Sequence, residues 1–328
     1  MNVPSAGFYR IKGYAGKYIT ATASNNAAGI SNATDASTIV YINDSKNFIF
    51  YSNGGYGLYN TCTVAPVDGT LNTYTFSKGK GTGFNITSDA AENNYLYDNG
   101  SALTGSASAV TTNPFNTDWY VEEVTSLPFT FNTNALGYAT YNCPVDVQVP
   151  DGVKAYVCKR DGTQLTLSRI EDIKDNENKI TIPANTAVLL YNADYSTNAN
   201  VQFNITDLNE EQEVDNDFDG TVAASTLDDG YAWYSLQKVT SGTNVGKMCF
   251  LSKASGNLGG FKAWIRTENT NSARQLTIVY DGEDDPTGIV EALGLEDDNV
   301  EIYDMSGRKL SSYKNGINIV NGKKIMVQ

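Results

Sequence analysis

The chain has 328 residues, with 37 acidic and 23 basic side chains, no histidine, and a formal net charge of −14. That length allows two or three domains with separate cores, and the acidic excess would repel a polyanion, which argues against nucleic acid or anionic membrane as partners. Without histidine there is no Ser-His-Asp or Cys-His nucleophile system and no His-ligated metal site, so any chemistry falls to carboxylates, Tyr, Lys or bound calcium.

Tyr and Thr are abundant and Gly is plentiful, a mix that favours strands joined by turns. Strongly periodic helical segments are almost absent, so the expected class is all-β. No run of about 18 apolar residues occurs, and no transmembrane helix or membrane insertion is expected. Met1-Asn2-Val3-Pro4 lacks a charged and then apolar leader, so no signal peptide is visible and the chain reads as a mature form or a fragment of a longer one. None of Cys62, Cys143, Cys158 and Cys249 forms a C-x-x-C pair. Cys143 and Cys158 fall on successive strand-like segments and could pair, or could stay as buried free thiols.

Taken in order, Gly7 to Thr20 reads as strand, glycine-containing turn and strand. Two degenerate echoes follow, Phe48-Ile49-Phe50 leading to Gly57-Leu58-Tyr59 and Phe84-Asn85-Ile86 leading to Tyr95-Leu96-Tyr97. The phenylalanines lie about 40 and about 36 residues apart, a spacing typical of repeated structural units. Three β-rich units of that size predict a β-trefoil over residues 1–125, closed by Asp118-Trp119-Tyr120-Val121. On that closing strand Trp119 and Val121 should face one way and Tyr120 the other.

The opening Phe-Tyr-Arg-Ile-Lys with Gly-Lys-Tyr-Ile-Thr, and the closing Asp-Trp-Tyr-Val-Glu-Glu-Val, resemble the ricin-like β-trefoil domains of secreted Bacteroidetes proteins. Lectins of that type carry Gln-x-Trp in their repeats, and no Gln in this chain is followed two positions later by Trp. The resemblance therefore implies an architecture and does not carry over a sugar-binding residue. From the residues themselves, Tyr14, Tyr56 and Tyr97 lie in or near the hairpins and could stack on a sugar face, the alternative for each being hairpin packing.

A boundary is expected near Thr125-Ser126-Leu127-Pro128. Residues 126–285 again read as strands, with Pro150-Asp151-Gly152 and Pro183-Ala184-Asn185 as turns, and short strands spaced by turns predict a β-sandwich-like module. The series "GYAT", "VPDGVKAYV", "IPANTAVLL" and "GFKAWI" resembles an all-β module of surface and secreted Bacteroidetes proteins, which implies an accessory role. Residues 286–328 open with a short helical or loop segment at 289–293. They end in a small β-hairpin unit, where Asn321-Gly322 between alternating apolar residues signals the hairpin. Its "YDMSGRKL" and "GINIVNGKKIMV" elements resemble the C-terminal sorting tails of the type IX secretion system, which implies a secreted or cell-surface location.

Asp215, Asp217 and Asp219, with Gly220, match the first half of a calcium loop. The closing bidentate Glu would fall at Thr226, and Asp228 and Asp229 come too late, so an acidic solvated loop explains the string better than calcium and no cofactor is expected. Trp233 with Tyr234, and Trp264, sit on strands where one of each pair could be an exposed platform or both could be core. The function expected is non-catalytic binding of a glycan or host glycoprotein through the N-terminal unit. The alternatives are a structural spacer of a larger surface protein and, less favoured, a carboxylate-based glycoside hydrolase, for which no catalytic motif is present.

Overall fold

The computed structural model describes residues 2–21, 27–52, 54–59, 63–65, 71–89, 94–162, 164–227, 232–240, 248–253, 256–267, 275–281, 302–304, 308–310, 316–320 and 323–327. Cys62, Asp228, Asp229, segment 289–293 and Asn321-Gly322 lie outside the described residues. The protein is all-β, with 52% of it in strands and 3% in helix, the latter as short 3-10 turns. Among the described residues no helix is long and apolar enough to cross a membrane.

Among the described residues the N-terminal sheet has twelve strands: β1 (Gly7–Gly13), β2 (Tyr18–Ala21), β3 (Ala28–Ser31), β4 (Val40–Ile42), β5 (Phe48–Phe50), β6 (Gly57–Tyr59), β7 (Thr63–Ala65), β8 (Tyr74–Lys78), β9 (Phe84–Ser88), β10 (Tyr95–Asp98), β11 (Leu103–Ser106) and β12 (Asp118–Glu123). The spine of this sheet is β9-β12-β1-β4-β5, with β8 on the outer edge of β9. Hairpins β2–β3, β6–β7 and β10–β11 branch from it through β1, β5 and β9. The sheet curls into a half-barrel. Across its opening, Tyr74 N donates to Lys46 O at 3.1 Å and the Phe48 and Tyr74 rings stack at 4.4 Å. Ile11, Val40, Phe48, Phe50, Leu96 and Trp119 are among the residues that fill the concave side. Trp119 is buried there with Val121 packed against the same core, as strand alternation predicts.

A second group of strands follows: β13 (Ser126–Thr130), β14 (Tyr138–Tyr141), β15 (Val147–Gln148), β16 (Val153–Asp161), β17 (Gln164–Arg169), β18 (Thr181–Ile182), β19 (Val188–Asn192), β20 (Asn200–Asn204), β21 (Asp219–Thr221), β22 (Ser225–Leu227), β23 (Ala232–Lys238), β24 (Met248–Lys253), β25 (Gly256–Leu258), β26 (Lys262–Thr267) and β27 (Gln275–Tyr280). Nine of them make one continuous sheet in the order β14-β19-β16-β17-β27-β24-β23-β26-β21. Its only parallel pair among the described strands is β17 with β27. Near one end, Asn142 N donates to Phe261 O at 3.3 Å, which brings the segment after β14 against the start of β26. The sheet wraps a core that includes Tyr156, Leu167, Leu189, Phe250 and Ile265. Two-stranded ribbons β13–β20, β15–β18 and β22–β25 complete this part. The expected turn at Pro150 is closed by Val153 N donating to Pro150 O at 3.0 Å, and the one at Pro183 by Thr186 N donating to Pro183 O at 3.1 Å.

Between the two sheets lies a third core. On β1, β4 and β5 the residues alternate between cores: Ile11, Val40, Ile42, Phe48 and Phe50 face the half-barrel, whereas Phe8, Tyr41 and Ile49 face the seam. On β16 and β19 the same alternation sends Val153, Ala155, Val157, Val188 and Leu190 to the seam and Tyr156, Cys158 and Leu189 to the other side. Strands buried on both faces need apolar residues in both registers. The Phe8, Tyr51 and Phe261 rings meet across the seam at centroid separations of 5.7, 5.1 and 5.9 Å. Beside them Gly54 O accepts from Gly260 N at 2.5 Å and Gly55 O from Ala224 N at 2.9 Å.

The same two-sided burial decides the cysteines. Cys143 belongs to the seam core and Cys158 to the core on the far side of the nine-stranded sheet, so the two thiols face different interiors. Both are free, as is Cys249, and the pairing of Cys143 with Cys158 that the sequence allowed is not made. Burial pushes each of the Cys143 and Cys158 thiols up to about 12, which leaves them protonated and unreactive at neutral pH. At the C-terminal end β28 (Ile302–Asp304), β29 (Lys309–Leu310), β30 (Gly316–Val320) and β31 (Lys323–Val327) form an antiparallel sheet in the order β29-β28-β30-β31. Val320 pairs with Lys323 across the β30–β31 hairpin.

Candidate functional site

The turn between β1 and β2 is closed by Gly13 N donating to Lys17 O at 2.7 Å and Gly16 N to Gly13 O at 3.0 Å. It lifts Tyr14 clear of the sheet, and 42% of this side chain is exposed. The tyrosine is nevertheless held in place. Its hydroxyl donates to Asn113 Oδ1 at 2.7 Å, and its ring meets Phe115 edge-on at 6.3 Å and 85°. Asn113 and Phe115 belong to the loop that leads into β12. The β1–β12 register, with Gly13 opposite Trp119, sets that loop beside the turn.

Tyr97 reaches the same loop from β10. It is half-buried, and its hydroxyl accepts from Asn116 Nδ2 at 3.3 Å, while the Asp98 amide donates to Asn116 O at 2.8 Å. Beneath the corner the Asp98 carboxylate is fully buried and receives Ala15 N at 3.3 Å and Gly100 N at 2.8 Å, with Lys17 Nζ on Gly100 O at 2.7 Å. Tyr14 and Tyr97 thus converge on residues 113–116. Tyr56 does not join them: it sits between β5 and β6, half-buried against the half-barrel core, its carbonyl accepting from Phe50 N at 2.9 Å. Asn113, Phe115 and Asn116 are members of the corner that the sequence reading missed. The signal for them is the Asn-Pro-Phe-Asn stretch just before the closing strand.

The acidic string at 215–219 binds the protein's own β16. Asp215 and Asp217 both meet Lys159 Nζ, the latter at 3.0 Å, and Asp217 Oδ2 accepts from Arg160 N at 2.7 Å. Asn216 Oδ1 accepts from Cys158 N at 3.1 Å, its Nδ2 donates to Ala187 O at 2.7 Å, and Phe218 is buried in the core behind. Although desolvation opposes it, the Arg160 amide and the Lys159 ammonium hold the Asp217 carboxyl below its usual range. Asp219 turns away to pair with Trp264 in the β21–β26 ladder. The alternating acids are therefore the polar side of a strap whose apolar side is Phe218. Among the described residues no three His, Cys, Asp or Glu side chains come together to hold a metal.

A second carboxylate knot lies at Asp175, only 8% exposed. It accepts from Gln148 Nε2 at 2.6 Å, Thr206 Oγ1 at 2.9 Å, Glu177 N at 2.9 Å and Lys179 N at 3.0 Å. Desolvation works against the ionised form, and these donors outweigh it and hold the carboxyl below its usual range. A depressed folded-state pKa contributes stability above the unfolded value of about 3.9 and loses it as pH falls through the folded value. The wild type should therefore lose more stability than Asp175→Asn when urea unfolding is followed from about pH 6 down to about pH 2. Near neutral pH the variant should be less stable by about 1–3 kcal/mol, because one of the two donor pairs then faces an amide NH2 in place of an acceptor oxygen. Equal acid sensitivity of the two proteins would show that this carboxylate does not carry the effect.

Trp233 and Tyr234 are both buried, so neither is the exposed platform that their alternation allowed. The two faces of β23 are both covered. Trp264 is half-buried. Among the described residues Tyr14 and Tyr59 are each 42% exposed, and Tyr14 is the one held in a corner, against Phe115. The chain matches no known protein-family model, and no curated protein matches it significantly.

Proposed function

We propose that the protein binds a neutral glycan, free or on a glycoprotein, at the corner made by Tyr14, Asn113 and Phe115. The observation that carries this reading is the exposed but immobilised Tyr14 ring, pinned at its hydroxyl by Asn113 and at its edge by Phe115. A ring fixed before binding loses little side-chain entropy when a sugar face stacks on it. With Asn113 Oδ1 occupied by Tyr14, its exposed Nδ2 is free among the described residues to donate to a sugar hydroxyl. The net charge of −14 favours a neutral ligand over an anionic one.

The N-terminal unit, residues 1–125, is read as a β-trefoil. Support comes from three hairpins, each branching from a spine strand at the position of an internal repeat. Residues 126–285 are read as an accessory, sandwich-like module around its own core. Residues 286–328 are read as a sorting tail, which would set the protein outside the cell or on its surface. This last reading rests on the resemblance of their sequence.

Binding is tested on an array of neutral polysaccharides and glycoproteins. Tyr14→Ala should weaken binding about tenfold, since a stacked aromatic contact is worth up to about 1.5 kcal/mol. Tyr14→Phe keeps the ring, loses the Asn113 bond and should fall between. Tyr56→Ala, outside the corner, should bind as the wild type does. Silence across neutral glycans, or equal loss at Tyr14 and Tyr56, overturns the assignment.

The second reading, a rigid spacer, has its own support in the shared seam core, which joins the two sheets without a flexible link. Its expectation is binding to no glycan combined with resistance of the 124–127 junction to proteases.

A further inference from the structure

Lys262 begins β26 and pairs with Thr221 of β21. Its side chain is half-buried, and among the described residues it makes no hydrogen bond and no ion pair. Among the described residues its directional contact is aromatic, with Nζ 5.9 Å from the centroid of the Phe129 ring. Phe129 in turn packs edge-on against Phe131, Tyr141 and Phe203, so the amine lies against the end of an aromatic wall.

Among the described residues the surrounding charges do not compensate it. On its own strand the next charged group is Arg266, of like sign. On β21, Asp219 stands opposite Trp264, and the cation that acts on it is Arg266. Phe129, on β13, offers only its ring face, near the outer limit of a cation–π contact. Among the described residues, no carboxylate pairs with this lysine.

Lys12 and Lys159 are the opposite case. Lys12 bridges Glu122 at 3.2 Å, Lys159 bridges Asp215 and Asp217, and hydrogen bonds to those carboxylates push both amines above their usual range. Burial without a partner acts the other way on Lys262 and lowers its basicity, because the ammonium loses hydration and nothing replaces it. A larger fraction of its amine carries a free lone pair at neutral pH, the state in which lysine is a nucleophile.

We propose that Lys262 is a carbonyl-reactive amine that takes small, flat aldehydes. The Nζ lone pair adds to the aldehyde carbon, and proton transfer from nitrogen to oxygen gives a carbinolamine. Loss of one water then leaves an imine at Nζ, so one amine and one aldehyde become one imine and one water. The partial exposure admits a small reagent, and the Phe129 face favours a planar one.

The test uses the intact protein with limiting benzaldehyde or formaldehyde. Sodium cyanoborohydride traps the imine, and peptide mass spectrometry locates the product from about pH 6 to about pH 9. Lys262 should be modified at about pH 7 at least about tenfold faster than Lys12 or Lys159, and its rate should level off at lower pH than theirs. The preference for Lys262 should be stronger with benzaldehyde than with formaldehyde. Lys262→Arg should remove the fast product and leave labelling elsewhere unchanged. The wild-type rate ratio decides the matter alone if that variant does not fold. Labelling of Lys262 at the rate of Lys12 and Lys159, or only after denaturation, overturns the proposal.

Discussion

Gly55→Ala should destabilise the protein by far more than Gly16→Ala, although both glycines have positive φ, 73° and 82°. For an L-residue the left-handed conformation costs about 1–2 kcal/mol, and at Gly16 that is the whole effect, since a Cβ there meets nothing within 4 Å. At Gly55 the same Cβ would stand 2.5 Å from Gly260 Cα, 2.7 Å from Val222 O and 3.0 Å from Ala224 N. All three are backbone atoms of the opposing sheet region and none can swing aside. Forcing a methyl into such a contact costs about 1–3 kcal/mol, and displacing Ala224 N from Gly55 O forfeits about 1 kcal/mol more. The expected loss is thus about 3–6 kcal/mol at Gly55 against about 1–2 at Gly16.

Guanidinium unfolding supplies the readout. The wild type should unfold in one transition, because the half-barrel and the nine-stranded sheet share the seam core. Gly55→Ala should split it into two, with reduced slopes for each. Equal losses at the two glycines would mean that backbone conformation alone matters and that the seam contributes nothing.

The seam also separates what could be read from the sequence from what could not. Strand class followed from composition. The turn at Pro150 and the β30–β31 hairpin followed from local turn chemistry, which acts over a few residues. Val40-Tyr41-Ile42 and Phe48-Ile49-Phe50-Tyr51 already show that these strands are apolar in both registers, the mark of strands covered on both faces. The runs do not say what covers them, because the partners lie far along the chain, at Leu127, at Val188 and Leu190 in β19, and at Phe261.

The aromatic corner divides the same way. Tyr14 was visible as an aromatic beside a glycine turn, whereas its partners Asn113 and Phe115 are about 100 residues away and meet it only through the β1–β12 register. The Asp215 to Asp219 string reads as an acidic solvated loop in the sequence, and its partners on β16 lie too far away in the chain to be seen there. It becomes a strap once Lys159 and the β16 amides are seen to occupy it.

Trp119→Ala should be the most damaging single truncation on the N-terminal side, at about 3–5 kcal/mol for a fully buried Trp. Trp119 is wholly excluded from solvent, and its Nε1 donates to Leu96 O at 2.9 Å. It also stands at the middle of the spine, with Gly13 opposite on β1 and Phe84 opposite on β9. Removal therefore opens a cavity in the half-barrel core and frees a buried carbonyl at the same time. Trp119→Phe separates the two effects: most of the volume stays, and leaving Leu96 O unsatisfied costs about 1–3 kcal/mol. Thermal unfolding should rank wild type above Trp119→Phe and Trp119→Ala last. The consequence reaches the surface, because the Gly13–Trp119 pairing holds the Tyr14 turn against Asn113 and Phe115. Trp119→Phe, which keeps β12 in register, should still bind glycan under conditions where it is folded. If it lost binding while Tyr14→Ala kept it, the ligand would be recognised elsewhere than at the Tyr14 corner.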